Sequence, residues 1–225
     1  DNVLPDEASA EVVRWKRRLI GLLAEVQSEA FAHLSAVSGV SCPDEALERA
    51  RVFVEQRFAR RPAGQPDRDA LRRFLVSSLD RPLRVCGVVR NEGEPGGAPF
   101  WVRDREGNCS AQIVEQAQVD LTDPVQARLF RSATHFNPVD LVCALRSIDG
   151  TPFDLGRFVD EDTAFVSNKS AGGRVMTVLE RPGLWNGGMA GWNTLAVDVP
   201  ASTFAPVKTV LDLLRPQHQP GAALS

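Results

Sequence analysis

The chain has 225 residues, 43% hydrophobic and 24% charged, which is enough to bury a core in one domain or in one domain with an appendage. Its formal charge of -3 and pI near 5.7 exclude the usual nucleic-acid surface, because binding a phosphate backbone needs clustered Lys and Arg in excess. No run approaches the roughly 18 consecutive apolar residues of a membrane span and no signal peptide opens the chain, so a cytoplasmic location is expected.

Pro5 to about Ser38 reads as a long helix, since Val12, Val13, Leu19, Ile20, Leu23, Val26, Phe31 and Leu34 recur at near-helical spacing among charged residues. A second helix is expected from Pro43 to Ala59, with Pro43 at its first turn and Asp44 and Glu45 behind it. A third runs from a capping Asp67 to Leu79 and closes before Pro82. The basic residues Arg57, Arg60, Arg61, Arg72 and Arg73 read as a solvated helix face, because acids are interleaved with them.

From Leu83 the texture changes to strands and glycine turns. Strands are expected at 83–90, 99–103, 110–117, 164–166, 174–179 and 194–199, with Glu106-Gly107-Asn108 as a hairpin turn. Asp123 and Pro124 open a further helix to Arg131. Asn137-Pro138 carries the same opening signal, but Leu141–Leu145 suits a strand equally well, and both readings stand. The result is an α/β protein: residues 1–80 form a helical region, 81–217 a mixed sheet, and 218–225 a tail. The four cysteines are widely spaced, with no CxxC pair, so they read as free thiols rather than as a zinc site or a disulfide framework.

The stretch from Leu83 to Trp101 draws attention first. An apolar β-branched run, Val85 to Val89, leads into the acidic, glycine-rich loop Asn91 to Gly97, where a ligand can approach main chain that carries no Cβ. Glu115 sits among Ile113, Val114 and Val119. A part-buried carboxylate there needs a partner, and a structural ion pair and a ligand contact fit equally. Lys208 follows Pro206-Val207, which reads as the seed of a helix through Leu211, Leu213 and Leu214. A lysine near a helix start opposes the dipole preference, so either an anion sits there or the residue is a surface lysine. Gly183 to Met189 forms a second glycine loop, whose Trp185 reads as a core plug.

Five segments in one order, Asp1-Asn2, GEPGG at Gly93 to Gly97, IVEQAQV at Ile113 to Val119, FNPVDLV at Phe136 to Val142 and FAPVKTVLDLL at Phe204 to Leu214, resemble the C-terminal half of UDP-sugar pyrophosphorylases. Those enzymes carry Asp-Asn, LLEIAQV, FNTNN and F-x-PVKT-x-x-DLL segments. Closer still, the chain resembles the C-terminal part of the bacterial family called domain of unknown function 4301, in which RVCGMVKNEGEPGGGPFW and LPGLWNG-M-x-WNT are typical.

The resemblance implies a mixed sheet of GT-A-like nucleotidyltransferase type and the joining of a sugar 1-phosphate to a nucleoside triphosphate with release of pyrophosphate. It implies Mg2+ held by Asp1, Lys208 on the phosphates, Glu115 and Asn137 on sugar hydroxyls, and a backbone contact at Gly96 or Gly97. These roles suit a reaction in which the protein chiefly positions its reactants and neutralises growing charge. The superfamily's glycine-rich triphosphate loop is not in this sequence, and the chain begins at Asp1 without Met. It therefore reads as the sugar-holding part of a longer enzyme, inactive by itself, or as a module that binds a nucleotide-sugar or phosphosugar without turnover. FNPVD keeps only one asparagine of FNTNN, which leaves the sugar open.

Overall fold

A computed structural model describes residues 3, 6–91, 96–207, 209–215 and 218–219. Three helices come first. α1 (Asp6–Ser38) buries Val12, Leu19, Leu23, Val26, Ala30, Leu34 and Val37, which recur at steps of three, four or seven along one face. α2 (Asp44–Phe58) starts after Pro43 with Asp44 and Glu45 in its first turn and ends at Ala59 in the left-handed region, φ 52°. α3 (Arg68–Leu79) is capped by Asp67, which accepts from the Ala70 amide at 2.8 Å.

The remaining elements are β1 (Leu83–Val88), β2 (Ala98–Arg103), β3 (Cys109–Val114), α4 (Pro124–Arg131), β4 (Asp140–Ala144), β5 (Phe165–Ala171), β6 (Arg174–Glu180) and β7 (Asn193–Asp198). β1 is the centre of a three-stranded sheet, antiparallel to β4 and parallel to β7, with Val85 opposite Val142 on one side and Leu195 on the other. All six residues of β1 are buried, including Arg84, whose Nε donates to Thr194 Oγ1 of β7 at 2.8 Å. β2–β3 and β5–β6 form separate antiparallel hairpins.

The helices and the central sheet share one apolar cluster that runs from Leu19, Val26 and Val54 through Leu75 to Val85 and Leu195. Gly87 lets α1 close onto β1: a Cβ there would lie 3.3 Å from both the Leu19 and Val199 side chains. All four cysteines are free; Cys86 is buried, and burial pushes its thiol pKa up to about 11. Among the described residues no helix is long and apolar enough to cross a membrane.

The mixed sheet is as expected, but it is split into three small sheets, and three expectations need correction. The strand expected at 110–117 stops at Val114, because Gln118 draws the Glu115 amide into a 3-10 turn over Gln116–Gln118. The short strand at 164–166 is a seven-residue arm, paired with β6 around Gly172 and Gly173, both at positive φ. The helix expected after Pro206 is a 3-10 turn, Val210–Leu214, tightened where the Thr209 amide and hydroxyl reach Asp212 Oδ2 at 2.7 and 3.2 Å.

Candidate functional site

The cluster lies beyond the carboxyl end of β1, the position where open α/β sheets place their ligands. Past Val88 the chain stays paired on both sides. Val139 donates to Gly87 O at 2.8 Å and Phe136 to Val89 O at 3.0 Å, while Val199 donates to Val88 O at 2.8 Å. These bonds bring 136–139 and 199–204 to the same place, where the Phe136 and Phe204 rings meet at 5.7 Å over Val89 and Val199. The segments before β4 and after β7, far apart in sequence, therefore flank the loop that leaves β1.

Two predicted groups meet directly here. The Asn137 amide donates from Nδ2 to Glu115 Oε1 at 3.2 Å, so the carboxylate has a polar partner, and among the described residues no cation pairs with it. Its backbone is fixed by the turn after β3, where Gln118 Oε1 accepts from the Glu115 amide at 2.9 Å. Gln118 Nε2 in turn donates to Thr163 O at 3.2 Å. Asn137 Oδ1 is buried and, among the described residues, has no hydrogen-bond partner. An unmade bond of that kind costs about 1–3 kcal/mol.

Gly96 and Gly97 close over this pair. A Cβ on Gly97 would lie 2.7 Å from both Asn137 Oδ1 and Val114 O, and one on Gly96 would lie 2.8 Å from the Phe136 ring. Any side chain would force the loop off Glu115 and Asn137, which is a concrete reason for two adjacent glycines. Gly96, Gly97, Glu115 and Asn137 thus form one cluster.

Asp1 and Lys208 lie outside the described residues. Nearby in sequence, the Val3 amide donates to Ala205 O at 3.0 Å. Asp140, which replaces the last asparagine of FNTNN, pairs instead with Lys16 of α1 at 3.3 Å. Among the described residues no group of three or more His, Cys, Asp or Glu side chains could hold a metal ion, so the magnesium expectation rests on Asp1.

One reading is overturned. Arg60, expected on a solvated face, has Nε and Nη1 buried without partners among the described residues, and burial pushes its pKa down to about 10, still high enough to keep it charged at neutral pH. The position just past the end of α2 was the available signal, since a residue in the turn after a helix need not share its solvated face. Arg72 is committed elsewhere: its guanidinium closes the end of α1 by donating to Val37 O at 2.8 Å and Gly39 O at 2.7 Å.

Over residues 1–219 the sequence matches the family described as Domain of unknown function (DUF4301). The chain belongs to the DUF4301 family. No curated protein matches it. Solved structures similar to this DUF4301 chain include three variants of the UDP-glucose pyrophosphorylase of Leishmania major in complex with UDP-glucose, at 19%, 18% and 20% identity and TM-scores of 0.36, 0.37 and 0.35. Each match covers 75% of this chain and 39% of the other, so the DUF4301 chain spans about two fifths of those enzymes.

Proposed function

We propose that this DUF4301 chain is the sugar-phosphate-holding part of a sugar 1-phosphate nucleotidyltransferase of GT-A-like type, in the manner of the UDP-sugar pyrophosphorylases that its motifs resemble. The observation that carries the reading is the Asn137–Glu115 bond at 3.2 Å beneath Gly96 and Gly97. A sugar presents hydroxyl donors. Glu115 offers a carboxylate that keeps most of its acceptor sites after taking one bond from Asn137. Asn137 Oδ1, orphaned beside it among the described residues, is a second acceptor for a sugar hydroxyl. The glycines give the ring room to come against main chain.

In the reaction, a phosphate oxygen of the sugar 1-phosphate bonds to the α-phosphorus of the nucleoside triphosphate. The bond from that phosphorus to the bridging oxygen breaks, and pyrophosphate leaves. The cluster fixes the sugar so that its phosphate is aimed, and orientation of this kind supplies much of the rate in such transfers. Lys208 is assigned to the phosphates and Asp1 to a divalent ion, both on the resemblance. Residues 81–217 form the sugar-phosphate part, and residues 1–80 support it.

Calorimetric titration with a panel of sugar 1-phosphates and UDP-sugars tests the reading. At least one is expected to bind, and Glu115→Gln is expected to weaken it by about 1 kcal/mol, the difference between a charged and a neutral hydrogen bond. No binding across the panel, or equal binding by the variant, contradicts it. Pyrophosphate release by the protein with the upstream region restored, given nucleoside triphosphate, separates an enzyme from a module that only binds.

A further inference from the structure

A second cleft, of about 1510 Å³, opens between α3, the β2–β3 hairpin and the segment from Phe153 to Thr163. Arg60 stands near the turn end of that hairpin, where the neighbouring Arg61 bridges to Cys109, whereas Glu115 and Gly97 stand at its open end. Six-residue strands rising about 3.3 Å per residue separate the two ends by roughly 20 Å. The cleft runs along the hairpin as far as Val114 and Gln118, beside the Glu115 cluster, and a ligand at its Arg60 end would be held by groups other than Glu115 and Asn137.

Most arginines around the cleft are already accounted for. Arg105 pairs with Asp162 at 2.6 Å, Arg72 is held by the end of α1, and Arg73, Arg103 and Arg157 are exposed to water. Arg60 and Arg81 are different. Arg81 is fixed from two sides, donating from Nε to Ser77 O and from Nη1 to Gly191 O at 3.0 Å. Among the described residues no acceptor reaches Arg60 Nε or Nη1, both buried. Among the described residues neither guanidinium has a carboxylate within 4.0 Å. The acid that acts on both is Asp104, whose two oxygens already accept from the Asn108 amide at 2.8 Å and from Asn108 Nδ2 at 3.0 Å.

Two like charges thus line one cleft, both half-buried, with two donor atoms of Arg60 fully enclosed. Burial lowers the pKa of both, and for Arg60 the proximity of Arg81 lowers it further. Such an arrangement is costly unless an anion completes it. Two planar guanidinium forks, one already oriented by carbonyls, match the several oxygens and the double charge of a phosphoryl group better than a single carboxylate.

We propose that Arg60 and Arg81 form a binding site for a phosphate or diphosphate group in the cleft between α3 and the β2–β3 hairpin. The group is either a free anion or the diphosphate of a nucleotide. Titration of the full chain at low salt with inorganic pyrophosphate, UDP and uridine tests the site and distinguishes the sources. Saturable binding of pyrophosphate and UDP is expected, with uridine inert. Equal affinity for the first two assigns the site to the bare anion, and at least tenfold tighter UDP assigns it to a nucleotide.

Arg60→Gln is expected to weaken binding at least tenfold, while Arg105→Gln, on the rim and engaged with Asp162, stays within twofold. In the unsubstituted protein, nitrogen-15 spectra are expected to show the Arg60 Nε–H signal moving in step with saturation, a readout independent of how the variant folds. Failure of both anions to bind the folded chain, or saturable binding that leaves the Arg60 signal unmoved, overturns the proposal.

Discussion

The half of the molecule around α1 and β1 and the half built on the two hairpins are held together by different means. In the first, Leu19, Val26, Val54, Leu75 and Val85 are at most 1% exposed, and apolar burial accounts for the packing. In the second, Val166, Val175 and Leu179 of the β5–β6 hairpin are 64%, 76% and 68% exposed, and turns, caps and side-chain hydrogen bonds fix the chain instead. Both candidate sites lie along the β2–β3 hairpin, beside the core rather than in it. The difference teaches that the core sets where β1 ends and holds Asn137, Arg60 and Arg81 at its edge, while the lightly packed half supplies Glu115 and the hairpin wall they face.

The largest expected effect tests the packed half. Phe58→Ala, which empties a fully buried position against Phe53, is expected to cost about 3–5 kcal/mol in denaturant unfolding. A loss below about 1 kcal/mol would break the contrast between the halves. Next comes Lys208→Ala, expected to reduce affinity for a sugar 1-phosphate by about 2 kcal/mol, the worth of a charged hydrogen bond to phosphate. Calorimetry on the substituted and parent chains checks it, and unchanged affinity would remove Lys208 from the site.

A smaller effect depends on pH. Burial against Phe53, whose ring lies 4.7 Å away, lowers the pKa of His33; Glu29 opposes that shift and Arg49 adds to it. The unfolded chain then takes up the proton more readily than the folded one. The contribution of His33 is therefore complete above its ordinary value of about 6.5 and is lost as the pH falls from there through the lower folded value. Urea midpoints are expected to drop between pH 7.5 and 5.5, and His33→Phe is expected to flatten that drop. The smallest effect is that of Val175→Thr on the exposed hairpin, expected within about 0.5 kcal/mol of the parent; a larger loss would mean that this hairpin is packed against something.

Much of the packed half was legible in the sequence. The apolar spacing from Val12 to Leu34 marks α1, and Asp67 and Asp123 cap the helices that they announce. The other half was less legible because its structure is set by local competition. Glu115 follows Ile113 and Val114 and so reads as strand, yet the Gln118 side chain captures its amide and turns the chain. The polar run Ser167 to Ser170 hid most of β5, since neither face of that hairpin is fully buried. Arg60 reads as one more charge in a basic run, and only the fold shows its donors enclosed. The meeting of Gly97, Glu115 and Asn137 follows from the resemblance to one family of segments, while its cause, the pairing of 136–139 and 199 to the end of β1, is a tertiary fact.

Gly97→Ala tests the central claim most directly, because its added Cβ would meet Val114 O and Asn137 Oδ1 at 2.7 Å and must push the loop away from Glu115 and Asn137. Sugar 1-phosphate binding by calorimetry, with far-ultraviolet circular dichroism as the check on folding, is expected to fall at least tenfold in a chain that remains folded. Undiminished binding by the folded variant would contradict the assignment of this cluster to the sugar.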